Sequence, residues 1–147
     1  MTSTAMSIAE LRTRLKGSPF VAFLDLDPVA FDPVAETLDL SIVFRPEFQR
    51  GSEPGRWHGG LISALIDTAG DFVVIGMCRH APPTVNFRVD YLKPAAGARL
   101  VAKARLRRLG RTMAFVDIDV VDDAGAVVAL GRANYSMTGH APREDRT

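Results

Sequence analysis

The stretch His58-Gly59-Gly60-Leu61-Ile62-Ser63-Ala64-Leu65-Ile66-Asp67 decides the reading of this chain. It opens a run, Gly59 to Gly76, that is apolar on nearly every side and too long for a strand. That pattern predicts a helix buried on most of its faces. Asp67 falls about two and a half turns inside it, at ~3.6 residues per turn. An apolar helix has little structural use for a carboxylate at mid-length, because burying one unpaired is costly. Catalysis has a use, since a desolvated carboxylate is a stronger base or nucleophile. The two glycines leave helix N-terminal amides open to a developing negative charge. The plainer alternatives are a carboxylate that bonds neighbouring amides, and glycines that serve turn geometry.

Working outward, Ser7 to Lys16 predicts a short helix, with Ser7 as its cap and Glu10 completing a capping box. Gly17-Ser18-Pro19 ends it. Phe20 to Ala30 is apolar and irregular, with Pro28 nearby, and is expected to be an edge strand. Thr37 to Phe44 alternates Leu38, Leu40, Ile42 and Phe44 with polar or small residues, which is a strand. Arg45 to Trp57 is a loop rich in proline, glycine and charge that leads straight into His58. After His80 to Pro83 come four alternating segments. Their apolar or small sets are Val85/Phe87/Val89/Tyr91, Ala98/Leu100/Ala102/Ala104/Leu106, Ala114/Val116/Ile118/Val120 and Val127/Ala129/Gly131/Ala133/Tyr135/Met137. Period-two alternation with one polar face predicts half-buried antiparallel strands. The expected organisation is one domain: residues 1–36 as an N-terminal helix and edge segment, 37–138 as the core, 139–147 as a polar tail. One curved sheet around one helix leaves edges open, so pairing with a second copy is expected.

Bulk properties narrow the classes. The 147 residues are 47% hydrophobic, enough for a real core. Eighteen basic against seventeen acidic residues, a formal charge of +1, give no general attraction to nucleic acid or anionic membrane. The only candidate membrane span, Gly59 to Met77, carries Asp67 and Asp71, each costing roughly 2.5–3.5 kcal/mol at mid-bilayer. Burial inside a soluble fold is expected instead. Residues 1–17 show no signal-peptide pattern. The single cysteine, Cys78, excludes an intrachain disulfide framework and fits a reducing, cytoplasmic setting. No second His, Cys or acid stands at metal-ligand spacing from His58, so no metal is expected. There is no nucleophile elbow and no P-loop. Ser63 and Cys78 read as packing residues.

The run HGGLISALIDTAG, residues 58–70, resembles the signature of the hotdog-fold acyl-CoA thioesterases, in particular the phenylacetate-pathway (PaaI-like) and 4-hydroxybenzoyl-CoA thioesterase group. Thr84 to Ala95 (TVNFRVDYLKPA) and Leu109 to Val116 (LGRTMAFV) are similar to that group's strand after the helix and to a later turn. The resemblance covers roughly residues 37–138. It implies an α+β hotdog fold, with an antiparallel sheet wrapped around a long central helix. It implies homodimers whose sheets join, often paired into homotetramers, with active sites at the dimer interface. It implies acyl-CoA as substrate and no separate cofactor, coenzyme A being part of the substrate.

For individual residues the resemblance implies that Asp67 is the catalytic nucleophile or the general base on water. Gly59 offers its amide to the thioester carbonyl, Gly60 lies beside it, and His58 orients the loop. Relatives often carry Asn or Gln six residues before the histidine to hold water or substrate; Ser52 stands there in this chain, with Gln49 as a nearby substitute. Thr84 matches a hydroxyl residue that positions water in some relatives, although strict alternation puts it on the side of Asn86 and Arg88. Asp71, one turn beyond Asp67, is unusual. Either both carboxylates share a buried face and one is driven to hold a proton, or Asp71 turns to an interface or solvent beside an arginine. Arg105, Arg107, Arg108 and Arg111 surround the Gly110 turn, as a solvated face or as a grip on the phosphates of coenzyme A. Two other readings stay open on the same fold: a hydratase or dehydratase, and a non-catalytic acyl-CoA-binding protein.

Overall fold

The computed structural model describes residues 5–139; residues 1–4 and the tail expected from His140 to Thr147 lie outside them. In chain order the elements are α1 (Ile8–Leu15), α2 (Pro19–Leu24), β1 (Asp27–Asp32), β2 (Thr37–Val43), a 3-10 turn (Pro46–Phe48), α3 (Gly59–Cys78), β3 (Thr84–Tyr91), β4 (Arg99–Leu109), β5 (Met113–Val121) and β6 (Val127–Ser136). The strands form one antiparallel sheet in the order β1-β2-β4-β5-β6-β3. The long helix α3 lies against its inner face, the architecture expected from the sequence.

Local chemistry sets the elements. Ser7 Oγ accepts the Glu10 N–H at 3.2 Å and the Ser7 N–H donates to Glu10 Oε2 at 2.6 Å, so the capping box starts α1. Glu10 also receives Arg79 Nη1 at 2.9 Å, which ties α1 to the end of α3 and holds the carboxyl down at about 2. On β2, β4, β5 and β6 the apolar members of each alternation are buried, among them Leu38, Leu40, Leu100, Ala102, Val116, Ile118 and Ala133. Met6, Leu11, Leu15, Leu24 and Leu26 from the N-terminal segment join the same core.

Two features differ from the sequence reading. Residues 20–24 are helical rather than extended: Pro19 sits at the start of α2, where its missing N–H is not needed, and Asp25 ends the helix in the left-handed region at φ 54°. Six residues are too few for helical periodicity to show. The edge strand expected there begins only at Asp27. Secondly, β3 is not half-buried. It sits at the end of the sheet, and Val85, Phe87, Tyr91 and Leu92 are 54%, 38%, 51% and 54% exposed. Of its apolar alternation Val89 packs against the core, while Val85, Phe87 and Tyr91 stay largely exposed.

At two points a side chain of one element fits against a glycine of the other. A Cβ on Gly131 of β6 would stand 2.5 Å from Ile66 Cγ2, and one on Gly70 of α3 would stand 2.2 Å from the Tyr135 hydroxyl oxygen. Ile66 is fully buried and branched at Cβ, so it has no room to swing aside. Gly131→Ala is therefore expected to overpack the interface. It should destabilise the fold by about 2 kcal/mol and lower Tm by roughly 4–8 °C in thermal unfolding.

Candidate active site

The site begins at the start of α3. His58 is the N-cap, and its Nδ1 accepts the Gly60 N–H at 2.9 Å. A Cβ on Gly60 would lie 3.0 Å from that ring nitrogen, so glycine is what lets the imidazole fold over the helix end. The Gly60 amide is thus used by the cap. His58 O accepts the N–H groups of Leu61 and Ile62 at 3.1 and 3.4 Å, which turns the His58–Gly59 peptide plane so that its carbonyl points into the helix. The Gly59 N–H, on the opposite side of that plane, points out of the helix end. Among the described residues it has no acceptor. Gly59, rather than Gly60, therefore presents the open donor.

The loop before His58 is held by aromatic packing. Trp57 is buried, stacks on Phe48 at 6.2 Å, and donates its indole N–H to Gly97 O at 3.1 Å. The His58 N–H donates to Phe48 O at 2.8 Å. Within this loop Gln49 Nε2 donates to Gly51 O at 3.0 Å. Ser52 is exposed in the turn and makes no hydrogen bond among the described residues. The structure does not bring Ser52 or Gln49 into contact with Asp67.

Asp67 is held by two hydroxyls. Thr84 Oγ1 donates to Asp67 Oδ1 at 2.9 Å. The Tyr135 hydroxyl donates to Asp67 O at 2.8 Å and lies 3.5 Å from Oδ1. Asp67 Oδ2 has no protein donor among the described residues. Strict alternation places Thr84 on the outer face, but β3 carries a register shift between Thr84 and Asn86. Val85 is the extra residue, and this bulge returns Thr84 to the helix side beside Tyr135. Tyr135 is fully buried, and burial together with the charges of Asp67 and Asp71 drives its phenol pKa far above the usual range. It is a hydrogen-bond donor at every working pH. Neither Tyr135 nor Gly70, which makes room for it, stood out in the sequence; the available signal was a lone tyrosine at an inward position of a strand otherwise built there from alanine and glycine.

Asp71 follows on the same face of α3. Its Oδ1 is buried with no hydrogen-bond partner among the described residues. Burial pushes the carboxyl up to about 7, the Asp67 charge adds to the rise, and Arg14 opposes it. The two carboxylates thus share a buried face, and no arginine forms an ion pair with Asp71 among the described residues. The arginine cluster divides. Arg107 pairs with Asp117 at 3.5 Å, and Asp117 is held low chiefly by its hydrogen bond from Arg132. Arg108 and Arg111 make no ion pair among the described residues and line a recess of about 380 Å³ with Gly110, Thr112, Met113 and Phe115. Thr84, Tyr135, Ala114 and Leu109 are cross-strand neighbours in one row, so this turn lies at the same end of the sheet as Asp67. Among the described residues no three His, Cys, Asp or Glu side chains converge as a metal group.

A family model, that of the thioesterase superfamily, matches residues 54–129, just over half the chain. Mouse acyl-coenzyme A thioesterase 13 is 32% identical over 89 residues, covering 58% of this chain and 64% of that one. The medium/long-chain acyl-CoA thioesterase YigI of Escherichia coli is 29% identical over 103 residues, covering 56% and 66%. The matches therefore span slightly less than two thirds of these relatives' own length. A solved structure, a phenylacetic acid degradation-related protein from Ralstonia eutropha, superposes with a TM-score of 0.74 at 27% identity, over 86% of this chain and 98% of that one.

The raised Asp71 pKa has a signed consequence for stability. Between the ordinary carboxyl value of 3.8 and about 7 the folded state holds a proton that the unfolded chain releases. The stabilisation is complete below the unfolded value and is lost as pH rises through 7. The protein should be less stable at pH 8 than at pH 5, by an amount on the order of 3 kcal/mol. Asp71→Asn should flatten that slope in denaturant unfolding at the two pH values.

Proposed function

Since the chain belongs to the thioesterase superfamily, we propose that it hydrolyses an acyl- or aryl-acyl-CoA thioester to the free acid and coenzyme A. The observation that carries this reading is the pairing of a hydroxyl-clamped Asp67, with Oδ2 free, and an open Gly59 amide at the positive end of α3. Oδ2 either attacks the thioester carbon, giving an acyl-aspartyl anhydride that water then hydrolyses to the free acid, or takes the proton of a water that attacks the carbon directly. The oxygen of the tetrahedral intermediate receives the Gly59 N–H, and the thiolate of coenzyme A leaves. Preorganised amides at a helix end are suited to stabilising such a charge. Relatives named as acyl-CoA thioesterases support the substrate class.

One chain does not complete this site. Gly59 and Asp67 are eight residues apart on one helix, so their Cα atoms lie ~12 Å apart along its axis. Attack and oxyanion binding need both groups within about 3–3.5 Å of one thioester. The geometry of β3 supports a solution. Thr84, at its start, holds Asp67, and Tyr91, at its end, lies against Gly59. If two copies join antiparallel along the open β3 edges, the Asp67 end of each meets the Gly59 end of the other. The unpartnered apolar side chains of β3 are then covered, and an isologous dimer carries two equivalent sites. His58 holds the loop, Gly60 serves the cap, Thr84 orients Asp67, and Asp71 sets the charge beside it. In this reading Ser52, exposed in the loop before the cap, meets substrate rather than Asp67 of its own chain. Arg108 and Arg111 supply guanidinium groups to the nucleotide phosphates.

Asp67→Asn should retain the fold and lower thiol release from acyl-CoA by about 10²–10⁴-fold, read with a thiol-reactive dye; wild-type turnover in the variant would sink the assignment. Arg108→Glu or Arg111→Glu should raise KM for acyl-CoA by roughly tenfold, the worth of one charge-assisted contact, and leave KM for a small thioester without a nucleotide as it was. An equal KM for both substrates in the variants and the wild type would remove the phosphate role.

A further inference from the structure

Tyr91 stands at the last position of β3 and faces the helix, opposite the buried Ala129. Its side chain is half exposed, so core packing does not account for its orientation. The hydroxyl nevertheless turns inward, onto the first turn of α3, rather than out to water. It donates to Gly59 O at 2.7 Å. With that hydrogen committed, the Ser63 hydroxyl donates to the Tyr91 oxygen at 2.6 Å. The ring also lies over the Gly59 Cα: a Cβ there would stand 3.3 Å from Cζ and 3.4 Å from the hydroxyl oxygen.

These contacts act where the chain most needs them. The Gly59–Gly60 pair has the greatest backbone freedom of any point in α3, and first turns of helices fray. The peptide before Gly59 is fixed by the two N–H groups on His58 O. The peptide after it is held on its N–H side by His58 Nδ1, at 2.9 Å from Gly60 N, and on its carbonyl side by Tyr91 on Gly59 O. With both flanking planes held, the Gly59 N–H is confined to one direction. We propose that Tyr91 is a positioning residue that locks the Gly59–Gly60 peptide through its hydroxyl and so preorganises the Gly59 amide for the thioester oxygen. The inference rests on Gly59 as the oxyanion donor. It assigns Tyr91 a role that ring packing alone does not supply, and it explains why the residue before Gly60 has no side chain: any Cβ would press on the ring that holds it.

The test is Tyr91→Phe, which keeps the ring over Gly59 and removes only the hydroxyl. A donor that has lost its preorganisation binds substrate as before and the transition state less well, so kcat for acyl-CoA should fall roughly tenfold with KM within about twofold. Hydrogen exchange followed by mass spectrometry should show faster exchange in the peptide spanning residues 58–64. Wild-type kcat in the variant, or a fall in kcat with exchange unchanged, overturns the proposal; the second result means that the hydroxyl touches substrate directly. If the wild-type protein releases no thiol from any acyl-CoA, the thioesterase reading fails separately. The exchange measurement then decides alone: acceleration in Tyr91→Phe upholds the lock, and wild-type exchange overturns it.

Discussion

The structure depends on two points at which α3 and β6 interlock, a side chain of one against a glycine of the other. A helix packed on a sheet is normally held off by a full layer of side chains on both sides, about 10 Å. Here Gly70 faces Tyr135 and Gly131 faces Ile66, so each contact has a side chain on one partner only. That brings a phenol hydroxyl within hydrogen-bond reach of the helix backbone at Asp67. Without Gly70 the tyrosine has no room, and Asp67 loses the group that fixes its carbonyl.

From this approach follows a polar line on an otherwise apolar helix. Gly59, Ser63, Asp67 and Asp71 are spaced by four and share one face. The first three positions of that face meet a hydroxyl of the sheet: Tyr91 at Gly59 and Ser63, Thr84 and Tyr135 at Asp67. The helix acts as a rigid ruler, and its length is what divides the proposed site between two copies. A ruler of about 12 Å between donor and carboxylate has no use within one chain. It becomes useful when an antiparallel edge reverses the second copy. The same edge is where the exposed apolar side chains of β3 gather, so assembly and the proposed chemistry draw on one surface.

Asp71 is where stability and function pull apart. A carboxyl with a buried, unpartnered oxygen beside a second carboxylate opposes folding near neutral pH. Small or apolar residues at that position avoid the cost. Its place beside Asp67 means that the local charge depends on pH, with Asp71 holding its proton below about 7 and losing it above.

The order of elements, the buried helix and the inward sets of β2, β4, β5 and β6 were legible in the sequence, because hydrophobic periodicity is a local property that survives without knowledge of neighbours. So was the candidacy of His58, Gly59 and Asp67 for the proposed site, since a charged residue in an apolar helix behind a glycine pair is unusual on its face. The short helix α2 was not legible, because six residues carry no period. For Thr84 the resemblance and strict alternation disagreed, because a bulge is set by the register between β3 and β6 and not by either strand alone. The division of labour between the Gly59 and Gly60 amides, the tyrosines that hold Gly59 and Asp67, and the burial of Asp71 were decided only by tertiary structure. Each depends on a distance between residues far apart in the chain: 28 positions from Ser63 to Tyr91, 68 from Asp67 to Tyr135. No local pattern encodes such a distance; it exists only once the sheet has closed on the helix.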